Sequence, residues 1–259
     1  MIEISNIYLF IKYIFAPLKL IFLILFIIFG CYIIKNIDTD NYYIIIIIFF
    51  KILLYILSYN IEISDEDYNK YVNYLYSNEK YICVFNHISL LDGFLLFATF
   101  PKMGVVLYKH KFYEYLNYDD DVNNKSNSIF VSLTEKTNVS QKIKLHIENR
   151  KPGGHILFIS PSECNLPDNP GDISHFTRKG AFISKNKILP ILLKYENNSL
   201  IYSHEHETIL GSIFKLFLAQ NNYTIKIKIG DLINSNEKET ICDYKDRVYN
   251  IMNEQYKEM

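Results

Sequence analysis

The chain is 259 residues long, enough for one catalytic domain and a shorter accessory segment rather than two full domains. Its formal charge of −1 at pH 7 supplies no global basic field that would point to nucleic acid. Cys31, Cys83, Cys164 and Cys242 lie far apart with no C-x-x-C pair, which argues against a zinc site or a disulfide framework and fits a reducing, cytosol-facing domain.

Hydrophobic residues make up 49% of the chain but are unevenly spread: residues 1–58 are nearly all apolar and the remainder is mixed. Ile7 to Ile34 is broken only by Lys12, Pro17, Lys19 and Gly30. From Phe15 onward it supplies about 20 residues, enough to cross a bilayer as a helix. After a polar turn from Lys35 to Asn41 comes a second run, Tyr42 to Leu57, which carries the single charge of Lys51. At about 16 residues it is marginal for spanning. It is expected to complete a hairpin or to lie at the interface, with Tyr42, Tyr43 and Tyr55 near the headgroups. Glu3 at the start, the length of the apolar region and the lack of a small-residue cleavage site argue against a signal peptide. A hairpin buried in a soluble protein is the competing reading, disfavoured because a helix apolar on all sides has little else to pack against. Residues 1–59 are thus expected to form a membrane-anchoring helical hairpin and residues 60–259 an α/β domain; the flanking Lys residues, balanced by Glu3, Asp38 and Asp40, assign no orientation.

The second part alternates between short β-rich runs and helical stretches. Strands are predicted at Tyr81 to Phe85, Gly104 to Tyr108, Ile129 to Leu133, His155 to Ser160, Ile188 to Lys194, Leu200 to His204 and Tyr223 to Ile229. Helices are predicted at Leu90 to Phe100, Val139 to Asn149 and Tyr244 to Met259. Pro190 inside its run points to a sheet edge or a strand start. The alternation argues for an α/β fold with a mixed, largely parallel sheet flanked by helices.

The first chemical constellation is Asn86-His87-Ile88-Ser89-Leu90-Leu91-Asp92, between a strand and a helix. Such a turn, at the carboxyl end of a strand, is where α/β folds expose reactive groups. Histidine is the usual general base near neutral pH, and a carboxylate on its other nitrogen fixes the tautomer and stabilises the imidazolium. Five residues do not place two side chains on one helical face, so His87 must sit in the turn and fold back towards Asp92. The same residues also fit a plain helix start, with Ser89 as the cap and Asp92 as its reciprocal acid.

Asn-His-x-x-x-x-Asp after an apolar strand resembles the first block of the glycerolipid acyltransferases, the family of lysophosphatidic acid acyltransferase. That family's later blocks follow here in order: Lys109 after Val105 to Tyr108, Ser160-Pro161-Ser162-Glu163-Cys164 after a strand, Phe176-Thr177-Arg178-Lys179-Gly180, and Leu189-Pro190. The resemblance covers roughly residues 80 to 195, and the two apolar runs resemble the family's membrane-docking hairpin. The Glu163 block departs from the pattern: Cys164 and Asn165 replace a Gly and a Thr, and Leu166 stands where many members have a basic residue. The Arg often found at the end of the Ile129 strand is also absent, Ser132 and Leu133 standing there.

The resemblance implies transfer of a fatty acyl group from acyl-CoA, or an acyl carrier, to the hydroxyl of a lysophospholipid such as 1-acylglycerol-3-phosphate, without metal or cofactor. His87 would be the general base and Asp92 its orienting partner. Backbone amides at the start of the Leu90 helix would bind an oxyanion or a phosphate. Glu163 would hold an acceptor hydroxyl, with Arg178, Lys179, Gly180 and Lys109 as further substrate-binding candidates. The expected surroundings are membrane lipids, acyl-CoA and the acceptor. The alternatives are an inactive membrane-anchored lipid-binding relative and a lipid thioesterase or hydrolase, the latter disfavoured because hydrolysis needs no phosphate clamp. Ser160 and Ser162 lack a G-x-S-x-G elbow. His204-Glu205-His206-Glu207 reads as a solvated strand end and Asp119-Asp120-Asp121 as a charged loop; neither has further metal ligands in evidence.

Overall fold

The computed structural model describes residues 42–89, 91–108, 128–131, 139–162, 171–196 and 223–259, together with helical positions 21, 24–26, 28–30, 32–33 and 36. The elements are α1 (Tyr42–Ile56), β1 (Tyr59–Ile63), α2 (Asp65–Tyr76), β2 (Tyr81–Phe85), α3 (Asp92–Thr99), β3 (Met103–Tyr108), β4 (Ile129–Val131), α4 (Val139–Asn149), β5 (Ile156–Ile159), β6 (Lys187–Tyr195), β7 (Tyr223–Ile229) and α5 (Ile241–Lys257). The strands form one seven-stranded sheet in the order β1-β7-β6-β2-β5-β3-β4. Neighbours run parallel except β6 and β7. The expected α/β class with a mixed, largely parallel sheet is therefore what the chain forms.

The central strands read as continuous apolar runs because helices cover both faces. All residues of β2 and β5 are buried, whereas β7 alternates buried and half-buried positions. β1 and α2 precede the predicted elements. Ser64 caps α2 by accepting the Asp67 amide at 3.0 Å, and Asp65, Glu66 and Asp67 place negative charge at the positive end of the helix dipole. α5 starts on a reciprocal box between Thr240 and Asp243 and buries Tyr244, Val248, Met252 and Tyr256, one residue per turn of a single face. The buried Arg150 donates to the Tyr74, Leu75, Ser77 and Glu79 carbonyls and so closes the carboxyl end of α2.

Pro190 corrects the expectation of a sheet edge or strand start. It sits inside β6, paired with Val84 of β2 in the middle of the sheet. The other neighbour makes room for the missing N–H. Between the Ile188–Ile233 bridge and the Ile191–Ile229 pair, the β7 side carries one residue more than β6, a bulge that breaks the ladder at the proline. Gly230 lies in that bulge and donates to the Pro190 carbonyl at 2.9 Å; a Cβ on Gly230 would stand 3.0 Å from the Pro190 ring.

Among the described residues no helix is long and apolar enough to cross a membrane. Most of the first apolar run lies outside them. The second run is α1, 15 residues or about 22 Å long, too short to span. One side of α1 is buried, and Leu53, Leu54 and Leu57 belong to the same core as the sheet. Its other side exposes Ile44, Ile48, Ile52 and Tyr55. Phe26 stacks on Phe49 at 4.9 Å, and a Cβ on Gly30 would collide with the Phe49 ring, so part of the first run packs on α1.

Candidate active site

The parallel sheet turns the carboxyl ends of β2, β5 and β6 to one side, and the candidate residues collect there. The chain leaving β2 is held first by Asn86. Its buried amide donates to the Leu193 carbonyl at 2.9 Å and accepts from the Leu193 amide at 2.8 Å. One side chain thereby replaces a backbone partner and extends the β2–β6 pairing beyond Phe85 while the main chain turns away.

His87 stands in that turn with a side chain 28% exposed, and Asp92 opens α3 with none of its side chain exposed. His87 Nδ1 and Asp92 Oδ2 are 2.7 Å apart. An ionised carboxylate only accepts, so the pairing puts the proton on Nδ1 and the basic lone pair on Nε2. Asp92 Oδ2 also accepts the amides of Ile88 at 2.7 Å and Ser89 at 2.9 Å, and Oδ1 accepts the buried Tyr195 hydroxyl. Four donors converge on one buried carboxylate, which fixes its position beside the imidazole.

The helix starts at Asp92, two residues later than predicted. Ser89 Oγ accepts the Leu91 amide at 3.2 Å, and Asp92 accepts the Ser89 amide. Only the reciprocal half of the expected cap forms, because the N-cap residue of the helix is Leu91, with no side-chain cap bond, and Ser89 Oγ does not reach the Asp92 amide. The Ile88, Ser89, Leu91 and Asp92 amides are all engaged locally, and the Leu90 amide, also among the expected oxyanion donors, lies outside the described residues.

The block after β5 meets this turn. The His87 amide points at Ser162 Oγ at 3.4 Å, and Ser160 Oγ lies 3.1 Å from Ser162 Oγ. Pro161 accepts the Arg178 amide at 2.9 Å, which carries the 176–182 segment to the same edge. Phe176, Ala181 and Phe182 anchor that segment in the core. Partial burial lowers the Arg178 pKa from its ordinary value, and the guanidinium remains charged at neutral pH. Lys179 is exposed and turns to α5, where a hydrogen bond with Cys242, and then Asp246, raise its pKa. Gly180 has open space about its Cβ position, so no close helix packing requires a glycine there. Lys109 and Glu163 lie outside the described residues, as do Leu200 to His206 and Asp119 to Asp121.

Asp172 to Phe176, which leads into Arg178, is fastened to α5. Asn253 Oδ1 accepts the Ile173 amide at 2.9 Å, Lys257 pairs with Asp172 at 2.7 Å, and Lys245 donates to the Phe176 carbonyl at 2.7 Å. One residue of the constellation carries no functional signal in the sequence: Tyr195 is a strand-end tyrosine like several others. Ser162 stands inside the Ser160-to-Cys164 block, where the sequence gives it no role of its own. Among the described residues no group of His, Cys, Asp and Glu side chains is placed to hold a metal ion.

No protein-family model matches the sequence, and no curated protein matches it. The fold does have a solved counterpart. The crystal structure of the 1-acyl-sn-glycerophosphate (LPA) acyltransferase PlsC from Thermotoga maritima superposes with a TM-score of 0.59 over 100% of this chain and 99% of that one, at 14% identity. At that identity the likeness establishes a shared fold.

Proposed function

We propose that the chain is a glycerolipid O-acyltransferase that moves a fatty acyl group from acyl-CoA, or an acyl carrier thioester, to the hydroxyl of a lysophospholipid, with 1-acylglycerol-3-phosphate as the acceptor. The observation that carries this reading is the buried, fully hydrogen-bonded Asp92 holding His87 Nδ1 at 2.7 Å on the carboxyl edge of an acyltransferase-like sheet. His87 Nε2 takes the acceptor's hydroxyl proton as that oxygen attacks the thioester carbonyl carbon. The carbon–sulfur bond breaks, and the thiolate leaves with the proton from His87. The deciding assay uses purified protein in detergent, labelled oleoyl-CoA and a panel of lysolipids with and without phosphate. Release of free oleate without acylated lipid would identify a thioesterase instead.

Arg178 is the described cation tied to the His87 edge, whereas Lys179 leans on α5. Arg178 is therefore assigned the acceptor phosphate. Arg178→Ala is expected to raise the KM for lysophosphatidic acid by about ten- to a hundred-fold, the value of one charged hydrogen bond. The KM for a neutral monoacylglycerol should change little, and Arg178→Lys should recover only part of the loss because an ammonium has no planar fork. Equal losses on both acceptors would reassign Arg178 to the fold or to the acyl donor.

The exposed face of α1 is assigned to the membrane, with the catalytic domain on the cytosolic side. Ile44, Ile48, Ile52 and Tyr55 form one stripe at helical spacing, and nothing in the chain's described residues covers it. Ile44→Asp with Ile48→Asp is expected to move the full chain from floated vesicles to the soluble fraction without lowering its melting temperature. Deleting residues 1–59 would be a poorer test, because it removes Leu53, Leu54 and Leu57 from the core. Unchanged flotation would assign attachment to the first apolar run alone.

A further inference from the structure

Asp92 Oδ2 is saturated by His87 and by two amides of its own turn, all within five residues in sequence. Oδ1 is different: its donor, the Tyr195 hydroxyl, comes from the far end of β6, 103 residues away. Tyr195 is 3% exposed and Asp92 0%. Asn86 grips Leu193, two residues before Tyr195 on the same strand and therefore on the same face. The residue that fixes the turn carrying His87 thus also fixes the strand that delivers the phenol.

We propose that Tyr195 is a positioning residue that sets the basicity of His87 by sharing the negative charge of Asp92; this deepens the acyltransferase reading above and rests on it. A carboxylate whose two oxygens are both hydrogen-bonded spreads its charge and cannot rotate. Removing the phenol leaves Oδ1 bare in a buried site, concentrates the charge, and strengthens the grip on a protonated imidazole. His87 then keeps its proton to higher pH. Among the described residues, the ionisable groups around this carboxylate are His87 on the turn after β2, Tyr195 on β6 and, beyond it on β1, Tyr59. Burial first, and then the Asp92 charge, hold the Tyr195 phenol well above its ordinary pKa, so it stays a donor throughout the working range. Tyr59 is likewise raised by burial and stays neutral. Of these three groups, His87 is the one whose titration the Tyr195 contact would move.

The test reads His87 directly. Diethyl pyrocarbonate acylates only neutral imidazole, and mass spectrometry of the His87 peptide gives its rate against pH in the full-length protein with no substrate present. Tyr195→Phe is expected to raise the midpoint by about one unit, a tenfold change in neutral imidazole on the acid side. Site-specific 3-fluorotyrosine at Tyr195, a stronger donor of nearly the same shape, is expected to lower it. In acyl transfer, Tyr195→Phe should shift the acid limb of kcat alkaline and leave both KM values unchanged. Identical His87 midpoints in the three proteins, or a loss of rate that is uniform across pH, would overturn the proposal. Should Tyr195→Phe fail to fold, the fluorotyrosine protein decides, and an unmoved midpoint overturns it. Moved midpoints in a protein that transfers no acyl group to any acceptor would retain the Tyr195 role and discard the acyltransferase reading.

Discussion

His87→Ala is expected to lower acyl transfer by about 10²–10⁴-fold, the usual contribution of a general base, while the protein stays folded. The fold should survive because His87 is part-exposed and because Asp92 keeps three donors without it: the Ile88 and Ser89 amides and the Tyr195 hydroxyl. Asp92→Asn is expected to be about as damaging by a different route. With the amide oxygen towards the turn and the NH₂ towards Tyr195, the hydrogen bonds can be remade, but the charge that stabilises the imidazolium is gone. With the amide reversed, an NH₂ faces His87 Nδ1 and two N–H groups, and the wrong tautomer is selected. Single-turnover transfer of labelled oleate, beside thermal melts of each variant, checks both. Most of the activity surviving in His87→Ala, with the melt unchanged, would remove His87 from the chemistry.

The second large effect is on stability. Asn86→Leu preserves approximate volume and removes both bonds to Leu193. The Leu193 amide and carbonyl would be left without their side-chain partner in a fully buried setting, at about 1–3 kcal/mol each. A loss of roughly 2–5 kcal/mol is a large part of an ordinary domain's stability and corresponds to a fall in melting temperature on the order of 10 °C. Asn86→Asp should be harmful too, because an ionised carboxylate can accept from the Leu193 amide but cannot donate to its carbonyl. Denaturant unfolding of the two variants measures this. A loss below about 0.5 kcal/mol in both would mean that the β2–β6 register is set elsewhere.

Much of the local structure was legible. Tyr81–Phe85, Val139–Asn149 and Tyr223–Ile229 form the elements that their apolar patterns predict, with the same bounds. β1 and α2 lie between the second apolar run and the first predicted strand, where no element is predicted although Ser64 and Asp67 carry a capping signal. The second run, expected to complete a hairpin or to lie at the interface, is too short as α1 to span. Hydropathy registers how apolar a helix is but not what it packs against, and one face of α1 is buried on the protein itself.

What the sequence determined by itself is the short-range part of this protein. A strand ending at Phe85, a turn and a helix with His87 and Asp92 five residues apart need only neighbours in the chain, and that pair forms. The tertiary structure alone decided the rest of the site. Ser162 reaches His87 across 75 residues, Tyr195 reaches Asp92 across 103 and Asn86 grips Leu193 across 107. These contacts depend on β2 lying between β5 and β6, and on a bulge at Gly230 that lets Pro190 sit inside the sheet. Strand order is settled by which apolar faces bury one another, and the periodicity of a single segment carries no record of its neighbour.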